Sequence, residues 1–213
     1  MSSNNKKISN IIKILKNTYP NAKIALKYRN PLELLVATIL SAQCTDIRVN
    51  KVTKELFKKY KKAEDYAQSD KIIFEQEIKS CGFFHNKAKN IIDLCNILVI
   101  KYNGEVPKTM NQLTALPGVG RKTANIILGS AFGISDGIPV DTHVKRISQR
   151  LHISKENNPI KIEQDLMKII PPIEWLNISY FLIEHGRKIC KARNPHCNVC
   201  CINKYCPSKD TIN

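Results

Sequence analysis

"LPGVGRKTA", residues 116–124, sets a proline, two glycines, an arginine, a lysine and a threonine within nine positions. Three chemistries suit such a string: a phosphate cradle, a tight turn between helices, or a place where Lys122 reacts. A nucleoside-triphosphate loop is excluded by register. That loop needs glycine directly before its lysine, where Arg121 stands here, and its earlier glycine would fall on Leu116. The flanking segments "MNQLTAL" (110–116) and "KTANIILGSAF" (122–132) both read as helical, which makes the stretch a helix–hairpin–helix. Gly118 and Gly120 let the backbone turn tightly and let a ligand come close. Their amides, with those of Val119 and of the next helix from Arg121, suit a phosphate of a nucleic-acid backbone. A plain helix connector is the competing reading.

The whole-chain balance favours a polyanion. Lys and Arg total 34 of the 213 residues against 18 Asp and Glu, a formal net charge of +16. Such an excess points to nucleic acid or to an anionic surface. A generally Lys-rich composition is the alternative. Membrane insertion is not expected, because apolar stretches such as "LLVATIL" (34–40) fall far short of the ~20 residues of a span. The N-terminal "MSSNNKKISNIIKILKNTYP" is basic but lacks a continuous apolar core, so no secretory signal is expected. A soluble intracellular protein is expected, in which thiols stay reduced.

Helical periodicity runs through the rest. "PLELLVATIL" (31–40) opens on proline and is apolar nearly all round, as a central buried helix would be. "DIRVNKVTKELFKKYKK" (46–62) puts Val49, Val52, Leu56 and Phe57 on one face, with Thr45 or Asp46 to cap it. "NKAKNIIDLCNILVIKY" (86–102) is a further amphipathic helix stopped at Asn103 and Gly104. Others fit "THVKRISQRL" (142–151), "IKIEQDLMKII" (160–170) and "EWLNISYFLIEHGRKIC" (174–190). Strand-like alternation is scarce, so the fold class is all-α. Composition shifts near Gly137, which suggests two helical lobes with a cleft.

Of the eight cysteines, Cys44, Cys81 and Cys95 are expected to be small core residues. Five crowd the C-terminal end. Cys190, Cys197, Cys200 and Cys206, spaced C-x6-C-x2-C-x5-C, are the candidate ligands, with Cys201 as a spare thiol. Spacing alone leaves a four-cysteine zinc site and an iron–sulfur cluster equally open. Between the first two ligands, Lys191 and Arg193 make a basic loop suited to phosphate contact, or simply to solvent.

Lys122 starts the helix after the hairpin. As a nucleophile it needs its neutral amine. Bringing a lysine from about 10.4 to near 7 means disfavouring the ammonium by ~4–5 kcal/mol. The helix N-terminus, neighbouring Arg121 and burial would all push that way. A phosphate-contacting or solvated lysine is the simpler alternative.

Together the hairpin, the following "VDTHVKR" (140–146), "ILSAQCTD" (39–46) and the four-cysteine tail resemble the endonuclease III family of helix–hairpin–helix DNA glycosylases, over nearly the whole chain. The resemblance implies a six-helix lobe at 25–136 carrying the hairpin. A second lobe would be built from 1–24 and 137–213 around a [4Fe–4S] cluster on Cys190, Cys197, Cys200 and Cys206, with double-stranded DNA across the cleft. It implies a bifunctional DNA glycosylase and abasic-site lyase acting, as a monomer, on oxidised pyrimidines. Lys122 would form the Schiff base at the sugar, and strand cleavage 3′ to the lesion by β-elimination would follow. Asp141 would stabilise positive charge on the sugar and assist proton transfer, while also suiting a helix N-cap. A carboxylate near Lys122 would favour its ammonium and oppose the helix dipole. Gln43 would fill the gap left by the flipped nucleotide, or be a buried polar helix end. Phe83 would wedge beside the estranged base, or be a core aromatic. His85 departs from the polar amide expected there, His143 suits a structural role, and Trp175 suits core packing.

Two alternatives remain at this level. A monofunctional mismatch thymine or adenine glycosylase would share the cluster but lack the lysine. A non-catalytic DNA-binding cluster protein would use the hairpin for anchoring alone, with Lys122 and Asp141 unexplained. A small electron carrier leaves the net charge and the hairpin without purpose.

Overall fold

The computed structural model describes residues 3–209 and 211, with side chains from Lys6 onward. Among these residues there is no strand, and eleven α-helices follow in order: α1 (Ser3–Thr18), α2 (Pro31–Leu40), α3 (Asp46–Lys59), α4 (Ala63–Ala67), α5 (Lys71–Ile78), α6 (Phe84–Tyr102), α7 (Met110–Thr114), α8 (Arg121–Phe132), α9 (Thr142–Arg150), α10 (Pro159–Met167) and α11 (Trp175–Lys188). The chain divides into two compact units, one made of Ala25–Ile134 and the other of Met1–Ile24 and Ser135–Asn213. No helix among the described residues is long and apolar enough to cross a membrane.

The unit Ala25–Ile134 is built around α2. Asn30 accepts the Glu33 backbone N–H at 2.9 Å, Pro31 takes the first helical position, and every residue from Leu32 to Leu40 is buried. Glu33 is its one buried charge. The Arg29 guanidinium holds it through Nε at 3.0 Å and Nη2 at 2.6 Å, which is why a carboxylate is tolerated there. Thr45 caps α3, accepting from the Arg48 N–H. At the end of α6, Asn103 turns left-handed at φ 51°, and the Gly104 N–H reaches back to the Leu98 carbonyl at 2.9 Å. Helices α4 and α5 were not singled out in the sequence. They carry Tyr66 and Phe74, which meet Tyr60 in an aromatic cluster with rings 4.8–5.9 Å apart.

In the other unit the first helix belongs with the last ones. Ile8, Ile11 and Leu15 of α1 share a core with Val144 and Ile147 of α9, Ile162 and Leu166 of α10, and Phe181 and Leu182 of α11. Ile202 joins from the cysteine tail. Tyr205, Cys200, Cys201 and Cys206 pack part-buried against the same core, so the otherwise polar tail is anchored through these few side chains. Trp175 lies at the edge of this core, its indole N–H on the Ile170 carbonyl at 2.8 Å.

Candidate functional site

The hairpin between α7 and α8 closes through the Leu116 N–H to the Leu113 carbonyl (3.0 Å) and the Val119 N–H to the Leu116 carbonyl (3.1 Å). The Val119 amide is therefore used inside the turn and its side chain is buried, which corrects the expected phosphate contact at that residue. The two glycines do different work. Gly118 sits at φ +75°, and a Cβ there would stand 2.9 Å from Asn90 Nδ2, so both its backbone and its packing demand glycine. Gly120 has an ordinary φ of −90° and caps α8, and apart from its chain neighbours no atom of the described residues lies within 4 Å of where its Cβ would be. Its missing side chain makes room only toward the outside.

Arg121 and Lys122 open α8. Arg121 is half-buried and Lys122 is exposed. The burial expected at Lys122 is therefore not present among the described residues.

Gln43, Phe83 and Gly118 line one cavity together with Thr38, Lys87 and Asn90. Phe83 is 63% exposed and Gln43 is exposed as well, so neither is the core residue that the alternative reading allowed. Both adopt left-handed backbone, at φ 53° for Gln43 and 49° for Phe83, which is uncommon outside glycine and strained for a bulky ring. His85, beyond Phe83, is turned to Glu75, with Nδ1 2.7 Å from Oε2. Cys81 and Cys95 are buried thiols as expected. Cys44, next to Gln43, is half-exposed and departs from the core role assigned to it because the chain turns outward after α2. Lys87 and Asn90 escaped the sequence reading; they looked like the polar face of an amphipathic helix.

In the other unit, Asp141 is the N-cap of α9. Its Oδ1 accepts the His143 and Val144 backbone N–H groups, each at 2.8 Å, so the carboxylate is held in one orientation. His143 packs on α11 at Gly186, where a Cβ would come within 2.6 Å of its Nδ1, and burial lowers its pKa. Helix α9 then carries two arginines to the cysteine loop. Arg146 donates to the Cys190 carbonyl at 2.8 Å, and Arg150 donates to Cys190 Sγ at 3.2 Å and to the Lys191 and Ala192 carbonyls at 2.6 and 3.0 Å. Lys191 and Arg193 are exposed on that loop.

Cys190, Cys197, Cys200 and Cys206 line a single cavity. Burial pushes the Cys200 thiol up to about 11, with the thiols of Cys201, Cys190 and Cys206 adding to it. Cys206 is raised by burial and by Cys190 and Cys197. The four thiols are thus electrostatic neighbours in a partly desolvated pocket, a setting in which a bound cation inverts the preference for the neutral thiol. Among the described residues no group of three or more His, Cys, Asp or Glu is placed to hold a single ion. Four thiols around one cavity are the donor set of an iron–sulfur cluster. His185 stands behind them, its Nε2 3.5 Å from Cys200 Sγ and its Nδ1 2.8 Å from the Tyr19 hydroxyl.

Residues 36–172 match the family model of HhH-GPD superfamily base excision DNA repair proteins. The chain is 53% identical to the endonuclease III of Synechocystis sp. over 208 residues, covering 98% of this chain and 95% of that one. Against the endonuclease III of Bacillus subtilis it is 46% identical, covering 88% and 86%. Among solved structures, a trapped endonuclease III–DNA covalent intermediate in an estranged-adenine complex is similar at TM-score 0.91 and 45% identity, covering 98% of each chain.

Proposed function

From the premise that the chain belongs to the endonuclease III family of base-excision repair DNA glycosylases, we propose that Lys122 and Asp141 carry a coupled glycosylase and abasic-site lyase reaction on oxidised pyrimidines in duplex DNA. The observation that carries this reading is the placement of Lys122: exposed, on the first turn of the helix launched by the glycine hairpin. A damaged base inside the stack is out of reach of any side chain, so the nucleotide is flipped first. Gly120 and the start of α8 grip a backbone phosphate, Gln43 takes up the gap, and Phe83 wedges beside the partner base. The Lys122 amine then attacks the sugar C1′ as the base departs with the bonding electron pair; the C1′–O4′ bond next opens, O4′ taking up a proton released from the nitrogen, and a protonated imine results. Loss of a C2′ proton and expulsion of the 3′ phosphate cleave the strand. Asp141, fixed by its two backbone bonds, stabilises the cationic sugar and handles protons. The covalent intermediate and the estranged adenine described for the solved relative support a lysine adduct and a gap-filling wedge.

Cys190, Cys197, Cys200 and Cys206 would hold a [4Fe–4S] cluster, which would supply a cross-link ordering the basic loop on which Lys191 and Arg193 would meet phosphate. The protein acts as a monomer on chromosomal DNA in the cytoplasm. Borohydride trapping on a duplex with one oxidised pyrimidine tests the chemistry. The wild type gives a covalent adduct and Lys122→Gln gives none; an adduct of full yield from Lys122→Gln refutes the assignment.

A further inference from the structure

Lys87 is 4% exposed, on the first turn of α6, and has no part in the chemistry above. Its ammonium donates to the Leu40 carbonyl at 2.8 Å and to the Cys81 carbonyl at 2.9 Å. Leu40 is the last residue of α2, three before Gln43; Cys81 is two before Phe83. The backbone N–H of Lys87 also donates to the carbonyl of Phe83 itself, at 3.1 Å. One residue therefore holds Phe83 from both sides and ties its turn to the end of α2.

The turns it joins are the strained ones. Gly82 at φ +70° and Phe83 at φ +49° are consecutive left-handed residues, and Gln43 at φ +53° turns the same way. Such backbone persists only where the surroundings over-determine it. The Leu40 carbonyl lies at the negative end of α2, where a cation is favoured. Burial lowers the pKa of Lys87, opposed by the nearby thiols of Cys44 and Cys81, and the two carbonyl acceptors favour the charged form.

We infer that Lys87 is the positioning residue of the DNA wedge, a buried clamp that sets Gln43 and Phe83 in mutual register so that both enter the duplex together. The inference rests on the reading that these two side chains enter DNA.

The test uses cluster-loaded protein and a duplex with a tetrahydrofuran abasic analogue opposite 2-aminopurine, where no chemistry intervenes. Lys87→Met removes both donors at similar volume. It is expected to weaken binding to this duplex about ten- to a hundredfold, as small misplacements do, and to lower the 2-aminopurine fluorescence response. Affinity for undamaged duplex, and Schiff-base trapping on a single-stranded abasic oligonucleotide, should stay within twofold of wild type. Lys87→Met combined with Phe83→Ala should be no weaker than the worse single variant, because both remove one device. Wild-type binding by Lys87→Met while Phe83→Ala is impaired refutes the clamp and spares the wedge; so do losses that multiply in the double variant. Wild-type binding by both Phe83→Ala and Gln43→Ala removes the wedge and the clamp with it. Should Lys87→Met lack the wild-type circular dichroism, Lys87→Leu, which likewise carries no donor, is put through the same comparison, and wild-type binding there equally refutes the clamp.

Discussion

Adding one methyl group at each of the two hairpin glycines should separate folding from DNA contact. At Gly118 the alanine would have to hold φ +75°, costing about 1–2 kcal/mol for an L-residue. Its Cβ would press on Asn90, at 2.9 Å from Nδ2 and 3.0 Å from Cβ, which is backed by α6; overpacking of this kind costs about 1–3 kcal/mol. A reduced unfolded-state entropy returns about 0.4–1 kcal/mol. Gly118→Ala should therefore lose about 2–4 kcal/mol, lowering the urea midpoint by about 1–2 M at an unchanged slope. At Gly120 the φ of −90° is open to alanine and no protein atom is near. The weaker N-cap preference of alanine and the unfolded-state gain nearly cancel, leaving stability within about 0.5 kcal/mol of wild type. The methyl there points only at whatever docks on the hairpin, so affinity for an abasic-analogue duplex, read by fluorescence anisotropy, should fall about tenfold or more. A wild-type urea midpoint for Gly118→Ala refutes the packing argument. Wild-type DNA affinity for Gly120→Ala refutes the phosphate grip.

Asp141→Ala should lose about 1 kcal/mol with the two N-cap bonds, whereas Asp141→Asn keeps an acceptor and its stability; both should lose single-turnover excision, and an active Asp141→Asn enzyme would confine the residue to capping. Arg150→Met removes the contact to Cys190 Sγ and the hold on two loop carbonyls, so visible absorbance of the cluster should bleach faster in air; an unchanged rate refutes the clamp on the cysteine loop. Burial holds the Cys95 thiol up to about 12, so at pH 8 it stays protonated, and iodoacetamide should label half-exposed Cys44 but spare Cys95, as read by mass spectrometry. Labelling of Cys95 at the rate of Cys44 would show that α6 opens.

What the sequence disclosed was what neighbours decide. Asn30 with Pro31 starts α2, Thr45 starts α3, and Asn103 with Gly104 stops α6; each of these signals acts within one helical turn. The hairpin was legible for the same reason, although the sequence could not say that Val119, apolar and set between the glycines, would turn inward and use its amide on Leu116. Lys87 was invisible because its acceptor on α2 lies 47 residues away and nothing about a lysine in "NKAKN" distinguishes a buried ammonium from a solvated one. The left-handed turns at Gln43 and Phe83 were hidden too, since neither residue type announces positive φ. The role of α1 depended on partners more than a hundred residues on, so its apolar face at Ile8, Ile11 and Leu15 could not be assigned from its own residues, and only the resemblance set 1–24 with the second lobe.

Helix α9 gives a physical reason why the proposed cluster would matter to the proposed chemistry. Its N-cap is the candidate catalytic carboxylate, and four and eight residues into the helix its two arginines reach the first cysteine of the tail. Those arginines find most of their acceptors on the loop itself: the carbonyls of Cys190, Lys191 and Ala192 and the Cys190 sulfur. On the other side, α9 lies against Gly186 of α11, so close that a single added carbon would meet His143 and Arg146. The helix is thus held between a packed face and the cysteine loop. A cluster that fixes the loop fixes the acceptors of Arg146 and Arg150, and through them the pitch of the helix that aims Asp141. On the proposed function, such a cluster would act on Asp141 through hydrogen bonds over a nine-residue helix, with no electron transfer required.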